Sequence, residues 1–436
     1  MSNKKVVIVG CGITGITAAY FEAKKGNSVT LIDSDNRPGG LLKSDLANDR
    51  YFDYGTHIMP ETGVKELDDF LFSGLNDSNC IIEKNIYAGS YFNGTMNDKS
   101  CYVDTATFEK AVFNQGCMEL LSSDSQPQAK NLQEFLIQKF GKVFYENVYK
   151  PIVQKYMGKE PKDLAVKVGE FFDMSRLLAF NHKTTKRLCE LDLYNSKLGH
   201  HVRVNGVSKY YPKEGGVGSL ISLLMDKLSK EKIDIKLSTN IIKINQKNGK
   251  VTSLVLENEE VKVDKLIWTL PSSYLLYLAG IDKRSSPPEF RNTGLYDFTF
   301  EKSLNSLSTF INVYDTALYS GRVTLYQNLT KSNNFSCTVE VLVDDEVDLT
   351  SLIESIQREL VEMGIVDKDN KCTFKQYRPI KNGFPILTNK FTNRQDELSE
   401  YCQTFFKNIL FVGRTTGKVF FMNEVLVDTY KRIENG

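Results

Sequence analysis

From Val6 to Val9 every position is a β-branched aliphatic residue, with no polar position to mark a solvent-facing side. An unbroken run of this kind predicts a strand buried on both faces. Residues 14 to 25, TGITAAYFEAKK, carry apolar side chains at helical spacing, and Gly26 ends that helix. A second buried strand follows at residues 28 to 33, SVTLID. Residues 64 to 75 and roughly 130 to 200 read as helical, the clearest part being NLQEFLIQKFGKVFYENVYKPIVQKY, with apolar and aromatic residues every three or four positions. An amphipathic helix is expected at 217 to 230. A strand-rich piece comes next, alternating around polar turns such as Lys247-Asn248-Gly249. Residues 297 to 345 alternate again, a helix is expected near 348 to 363, a buried strand at 408 to 413 and a last helix near 423 to 433. The pattern is an α/β nucleotide-binding fold interrupted twice, with strands near both termini sharing one sheet.

Composition changes this picture little. Hydrophobic residues make up 41% and charged residues 25% of the 436, which is ordinary for a globular chain. The net charge of +1 gives no electrostatic reason to expect nucleic acid or an anionic membrane as partner. The eight cysteines form no C-x-x-C pair, and the four histidines have no zinc-site spacing, so no metal is expected and a reduced, cytoplasmic chain is the simplest reading. No apolar run approaches the roughly 18 residues of a membrane span.

The first turn carries the first chemistry. In VVIVGCGITG, Gly10 allows a tight turn, Gly12 lets backbone approach a pyrophosphate, and Gly15 allows close helix–strand packing. The helix start at Ile13 and Thr14 then faces the negative charge. Asp33 closes the second strand, where a carboxylate can take ribose hydroxyls. These residues alone fit a dinucleotide of either nicotinamide or flavin type.

The continuation Asp33-Ser34-Asp35-Asn36-Arg37-Pro38-Gly39-Gly40-Leu41 resembles the glutathione-reductase-like class of FAD-binding oxidoreductases, whose long motif runs from the acid into R-x-G-G. That resemblance implies FAD as cofactor, held by Asp33, Ser34, Arg37, Gly39, Gly40 and Leu41 beside the first glycine turn. YFDYGTHIMPET is similar to a D-x-G-x-H stretch that lines the flavin ring in the amine-oxidase and sugar-mutase branches, which implicates Gly55, Thr56 and His57. His57 is either a structural histidine or a group that tunes the flavin or holds a substrate hydroxyl. Asn240-Ile241-Ile242 resembles the segment laid against the adenine, so Ile241 and Ile242 join the cofactor set.

The C-terminal stretch NILFVGRTTGKVFFMNEVLVDTYKRI resembles the UDP-galactopyranose mutase group, in which F-L-G-R leads through aromatics to M-D-x-V. Gly413, Arg414, Met422, Asn423 and Val425 fill those places, with Asn423 where the mutases usually carry Asp. The segments 139 to 164 and 210 to 220 have the layout of that group, although Met157-Gly158-Lys159 replaces its Trp-Gly-Lys. The resemblance implies a nucleotide-activated sugar for surface polysaccharide as substrate and reduced flavin N5 as nucleophile. A hydride-abstracting oxidase or desaturase of the amine-oxidase or protoporphyrinogen-oxidase type is the alternative. A third reading, a flavin fold without catalysis, sits poorly with the intact glycines. A diphosphate calls for guanidinium groups. Arg203, Arg378 and Arg414 are the candidates, each equally able to be a packing or surface arginine. The catalytic set so expected is His57, Arg378 and Arg414. The architecture expected is a glutathione-reductase-like, Rossmann-type FAD domain (residues 1–75, 205–285 and 386–436), a mainly helical insertion (76–204) and an antiparallel-sheet insertion (286–385). A homodimer is compatible with it.

Overall fold

A computed structural model describes residues 3–123, 128–201, 206–282 and 289–436. Its nucleotide-binding half is a five-stranded parallel sheet in the order Ile233–Lys236, Ser28–Ile32, Lys5–Val9, Lys265–Trp268, Ile409–Phe411. The unbroken aliphatic run of the first strand has a direct cause. Val6 and Ile8 pack with the helices Ile13–Lys24 and Gly218–Ser229 on one face, while Val7 and Val9 pack beneath the meander of residues 241 to 262 on the other. The chain's ends do share this sheet: Ile409–Phe411 is its last strand, and the terminal helix Met422–Asn435 lies against Ile13–Lys24.

The second sheet has seven strands, in the order Cys372–Pro385, Phe290–Phe300, Ser336–Val343, Ser320–Leu325, Phe310–Val313, Ala88–Phe92, Thr95–Asn97. Its two faces differ sharply. Phe298, Val339, Val323 and Ile311 bury one face against the helix Ile353–Glu362. Asp297, Thr338, Thr324 and Asn312 occupy the opposite face, each at most 1% exposed. Strict alternation in Ser336-Cys337-Thr338-Val339-Glu340-Val341 produces this division, since side chains along a strand point to opposite sides.

The segment of residues 76–204, expected to be mainly helical, begins with strands. Cys80–Glu83 pairs with Lys209–Pro212, and Ala88–Phe92 and Thr95–Asn97 form a hairpin within the seven-stranded sheet. The hairpin turns at Asn93 and Gly94, with φ of 52° and 72°, the backbone that an Asn-Gly pair adopts readily. The helical part proper runs from Lys110 to Asn195 around an aromatic-rich core that includes Phe140, Tyr149, Tyr156 and Phe172. Among the described residues no helix is long and apolar enough to cross a membrane, and no cluster of three or more His, Cys, Asp or Glu side chains could hold a metal.

Candidate functional site

The carboxyl ends of the parallel strands bring the glycine motifs together, which is where open α/β sheets bind ligands. Two of the glycines are required by the protein's own packing. A Cβ on Gly10 would stand 2.0 Å from Thr269 Oγ1, and a Cβ on Gly15 would stand 1.8 Å from the Gly10 carbonyl oxygen. Two others leave space empty. A Cβ on Gly12 meets nothing nearer than the Gly40 Cα at 3.9 Å, and one on Gly40 meets only the Gly12 Cα at 3.4 Å. Gly39 N donates to the Cys11 carbonyl at 2.7 Å and holds the two turns face to face. The helix Ile13–Lys24 starts at Gly12 with no side-chain cap and no acid in its first turn. Its first amides therefore point at the gap with the positive end of the helix dipole behind them. The gap suits an anionic group, and side chains at Gly12 or Gly40 would fill it.

The other expected cofactor residues fall into two groups. Asp33 receives the Cys11 amide at 2.6 Å and the Asp35 amide at 2.8 Å, which fixes the turn and leaves carboxylate lone pairs for a ribose. Ser34 and Leu41 are exposed. Gly413, at φ 82°, packs within 3.2 Å of Thr14 by its would-be Cβ, so the last strand ends at the gap. The remaining residues expected at the cofactor have these surroundings. Arg37 fastens the hairpin of residues 44 to 53, donating to Asp45 at 2.6 Å and to the Ser44 carbonyl at 2.7 Å. Ile241 turns into the core at 8% exposure, while Ile242 stays 59% exposed. Val425 is 4% exposed and faces protein, because it lies on the inner side of the terminal helix that Met422 and the exposed Asn423 begin.

Beyond Gly40 the chain passes through Tyr54 to His57 and crosses the polar face of the second sheet. Thr56 N donates to Glu340 at 3.1 Å, and its hydroxyl bonds that of Thr324. Gly55, at φ 105°, carries the chain across Glu340. Asn312, Arg322 and Glu340 lie side by side in the strand register beneath it. The His57 imidazole lies against the Tyr54 backbone, and its Nε2 is shut off from solvent with no partner among the described residues. Burial first, then the charges of Arg414 and Arg322, push its pKa down to about 4, against the opposing pull of that backbone. Nε2 is thus an orphaned polar atom that a ligand group would satisfy. His57, Arg322 and Arg414 all keep accessible surface although their surroundings desolvate them, as groups on the wall of a deep cleft do. The Arg414 guanidinium lies 4.6 Å from the Phe420 ring centroid and donates from Nε to the Phe420 carbonyl at 3.0 Å.

His57 gives a direct prediction. A folded-state value below the ordinary 6.5 means that the unfolded chain takes up this proton first. Its stabilising contribution is complete above about pH 6.5 and is lost as the pH falls towards about 4. Labelled-imidazole NMR should show one histidine that does not titrate between pH 8 and 5 and that disappears in His57→Gln. A midpoint above 6 for that resonance contradicts the assignment.

Arg378, expected to meet a substrate diphosphate, is engaged on all three nitrogens by the protein itself. Its Nε and Nη2 donate to Asp297 at 2.6 and 3.1 Å, Nη2 to the Asp53 carbonyl at 2.9 Å, and Nη1 to Asp45 at 3.2 Å. Its guanidinium also lies 4.9 Å from the Tyr54 ring centroid. The fork ties the hairpin to the sheet and has little left for a ligand. Arg203 lies outside the described residues. Arg322 was not singled out from the sequence. The signal for it was the alternation of the strands, which places Asn312, Arg322, Thr324 and Glu340 on one polar face.

A family model described as an NAD(P)-binding Rossmann-like domain matches residues 8–71. Protoporphyrinogen oxidase 2, chloroplastic/mitochondrial, of Arabidopsis thaliana is 39% identical over 61 residues, 14% of this chain and 12% of that protein. Coproporphyrinogen III oxidase of Staphylococcus aureus is 22% identical over 304 residues, 64% of this chain and 63% of that one. The chain thus matches less than two thirds of the length of these curated relatives. A crystal structure of reduced UDP-galactopyranose mutase superposes with a TM-score of 0.76 at 18% identity, covering 99% of this chain and 95% of that one. The chain has the fold of that mutase structure, and its residues 8–71 match a Rossmann-like dinucleotide-binding domain.

Proposed function

We propose that this protein is an FAD-dependent enzyme whose cleft takes an anionic substrate, a nucleotide-activated sugar of surface polysaccharide synthesis, in the cytoplasm. The carrying observation is that a neutral histidine with an unpartnered nitrogen sits among two guanidinium groups, Arg322 and Arg414, at the far end of the chain that leaves the Gly12–Gly40 cradle. Gly12, Gly40 and the amides of Ile13 and Thr14 would hold the FAD pyrophosphate, Asp33 a ribose, and Gly55 to His57 the ring end. Bound there, FAD supplies a ring nitrogen that accepts hydride when oxidised and acts as a nucleophile when reduced. The protein's part is orientation and charge. Arg322 and Arg414 neutralise the substrate anion, and His57 Nε2 accepts a hydrogen bond without becoming charged at neutral pH.

A second reading is favoured by the matches to porphyrinogen oxidases: hydride removal from a carboxylate-bearing substrate by oxidised flavin. The same two arginines would hold its carboxylates, and they would repel a cationic amine. One experiment separates the readings. The FAD-loaded protein is reduced with dithionite under argon and given UDP-galactopyranose and other UDP-sugars, and in parallel is given a porphyrinogen in air. Isomerisation by the reduced form alone supports the mutase reading. Oxygen-consuming turnover of the porphyrinogen with no isomerisation replaces it with the oxidase reading. Turnover in neither arm contradicts both.

A further inference from the structure

The helical segment Val166–Asp173 breaks at its end in an unusual way. Phe171 is extended (φ −74°, ψ 151°), then Phe172 (φ 50°, ψ 37°) and Asp173 (φ 56°) are both left-handed. Two successive left-handed residues, one of them a bulky aromatic, persist only where the surroundings impose them, and such strain gathers at functional sites. Here the surroundings are the polar face of the second sheet. The Phe172 ring lies flat on Tyr156, with centroids 4.1 Å apart and planes at 5°. Its carbonyl accepts the Tyr314 hydroxyl at 2.6 Å. The Arg322 guanidinium lies 5.3 Å from the Phe172 centroid and 5.4 Å from that of Phe310. Asp173 accepts from Asn312 Nδ2 at 2.9 Å, and Asn312 Oδ1 accepts Arg322 Nε at 3.0 Å.

We infer that Phe172 and Asp173 are positioning residues that preset Arg322 for the anionic group of the substrate. Phe172 and Phe310 sit against the guanidinium, and the Asp173–Asn312 relay fixes its Nε. Among the described residues no hydrogen bond engages its Nη nitrogens, which are the donors suited to a forked contact with phosphate or carboxylate. A guanidinium fixed before the ligand arrives loses little freedom on binding. The left-handed turn is therefore kept for binding at the expense of backbone ease. This inference rests on the anionic-substrate reading above, and it adds the turn that makes that arginine rigid.

Asp173→Gly and Asp173→Asn in the FAD-loaded full chain test it, with UDP as probe by calorimetry and with melting temperature read alongside. Glycine takes φ 56° freely, and this relief offsets the lost hydrogen bond from Asn312, so Asp173→Gly should melt close to the parent. It should bind UDP about tenfold more weakly, because the relay is cut. Asparagine tolerates the same backbone and offers an amide oxygen to Asn312, so Asp173→Asn should recover most of the affinity. Parental affinity in Asp173→Gly overturns the role of the pair. Weaker binding accompanied by a lower melting temperature overturns it too, since that marks a merely structural residue. A parent protein that takes up no UDP overturns the nucleotide reading beneath it, a result distinct from either.

Discussion

A Gly12→Val chain is expected to fold normally and to hold no FAD, while Gly15→Ala is expected to damage the fold itself. The contrast follows from what each new side chain meets. At Gly12 the backbone (φ −75°, ψ 177°) suits any residue, and the nearest protein atom to a Cβ is 3.9 Å away. Valine therefore costs the apo-protein no more than about 1 kcal/mol, the scale of a poorer helix cap. Its methyl groups occupy the gap in front of the first helical amides, where a pyrophosphate must approach. At Gly15 a Cβ would stand 1.8 Å from the Gly10 carbonyl oxygen, and helix and turn must separate to admit it. Overpacking against backbone should destabilise by about 3 kcal/mol. Urea unfolding of both apo-proteins, with absorbance at 450 nm after incubation with FAD, checks the pair. Retention of FAD by Gly12→Val would refute the cradle.

Arg378→Met should produce the largest loss of stability of any single change at the interface between the hairpin and the sheet. Asp297 is fully buried, and Arg378 is its cationic partner, through Nε at 2.6 Å and Nη2 at 3.1 Å. Gln376 and Thr338 also donate to Asp297, but neither brings charge. Removing one member of a buried pair leaves an uncompensated ion and costs about 3–5 kcal/mol. The same change frees the Asp53 carbonyl and the Asp45 carboxylate. Arg378→Met combined with Asp297→Asn should recover a good part of the loss, because the orphaned charge is then gone. If Arg378 met the substrate instead, the single variant would lose affinity for UDP with its urea midpoint intact.

The parts of the site that the sequence made legible are the local ones. Gly15 and Asp33 act through contacts within one strand–turn–helix–strand unit, and Gly10 and Gly12 share its turn although Thr269 and Gly40 are what they face, so spacing singled out all four. Gly413 could be placed because a buried strand leads straight into it. Contacts between distant strands were much harder to see. Arg322 and Arg378 both lie on strands that were read as sheet, yet one lines the cleft and the other is consumed by Asp297. Which of the two happens depends on register across several strands, and no local pattern encodes that. The same holds for Ile241 and Ile242, where one residue's difference in phase separates core from open edge. The hairpin of residues 88 to 97 was hidden by the strong helical periodicity that follows it, although Asn93-Gly94 marked its turn. Phe172 and Asp173 carry no glycine to announce their left-handed backbone.

The Gly12–Gly40 cradle is expected to hold FAD and not a nicotinamide dinucleotide. Equilibrium titration of the apo-protein with FAD, followed by competition with NAD and NADP, tests it most directly. One FAD should bind per chain, with a perturbed flavin absorbance band, released on denaturation and not displaced by millimolar nicotinamide dinucleotide. Displacement of the flavin by NAD or NADP, or saturable binding of either with none of FAD, would contradict it.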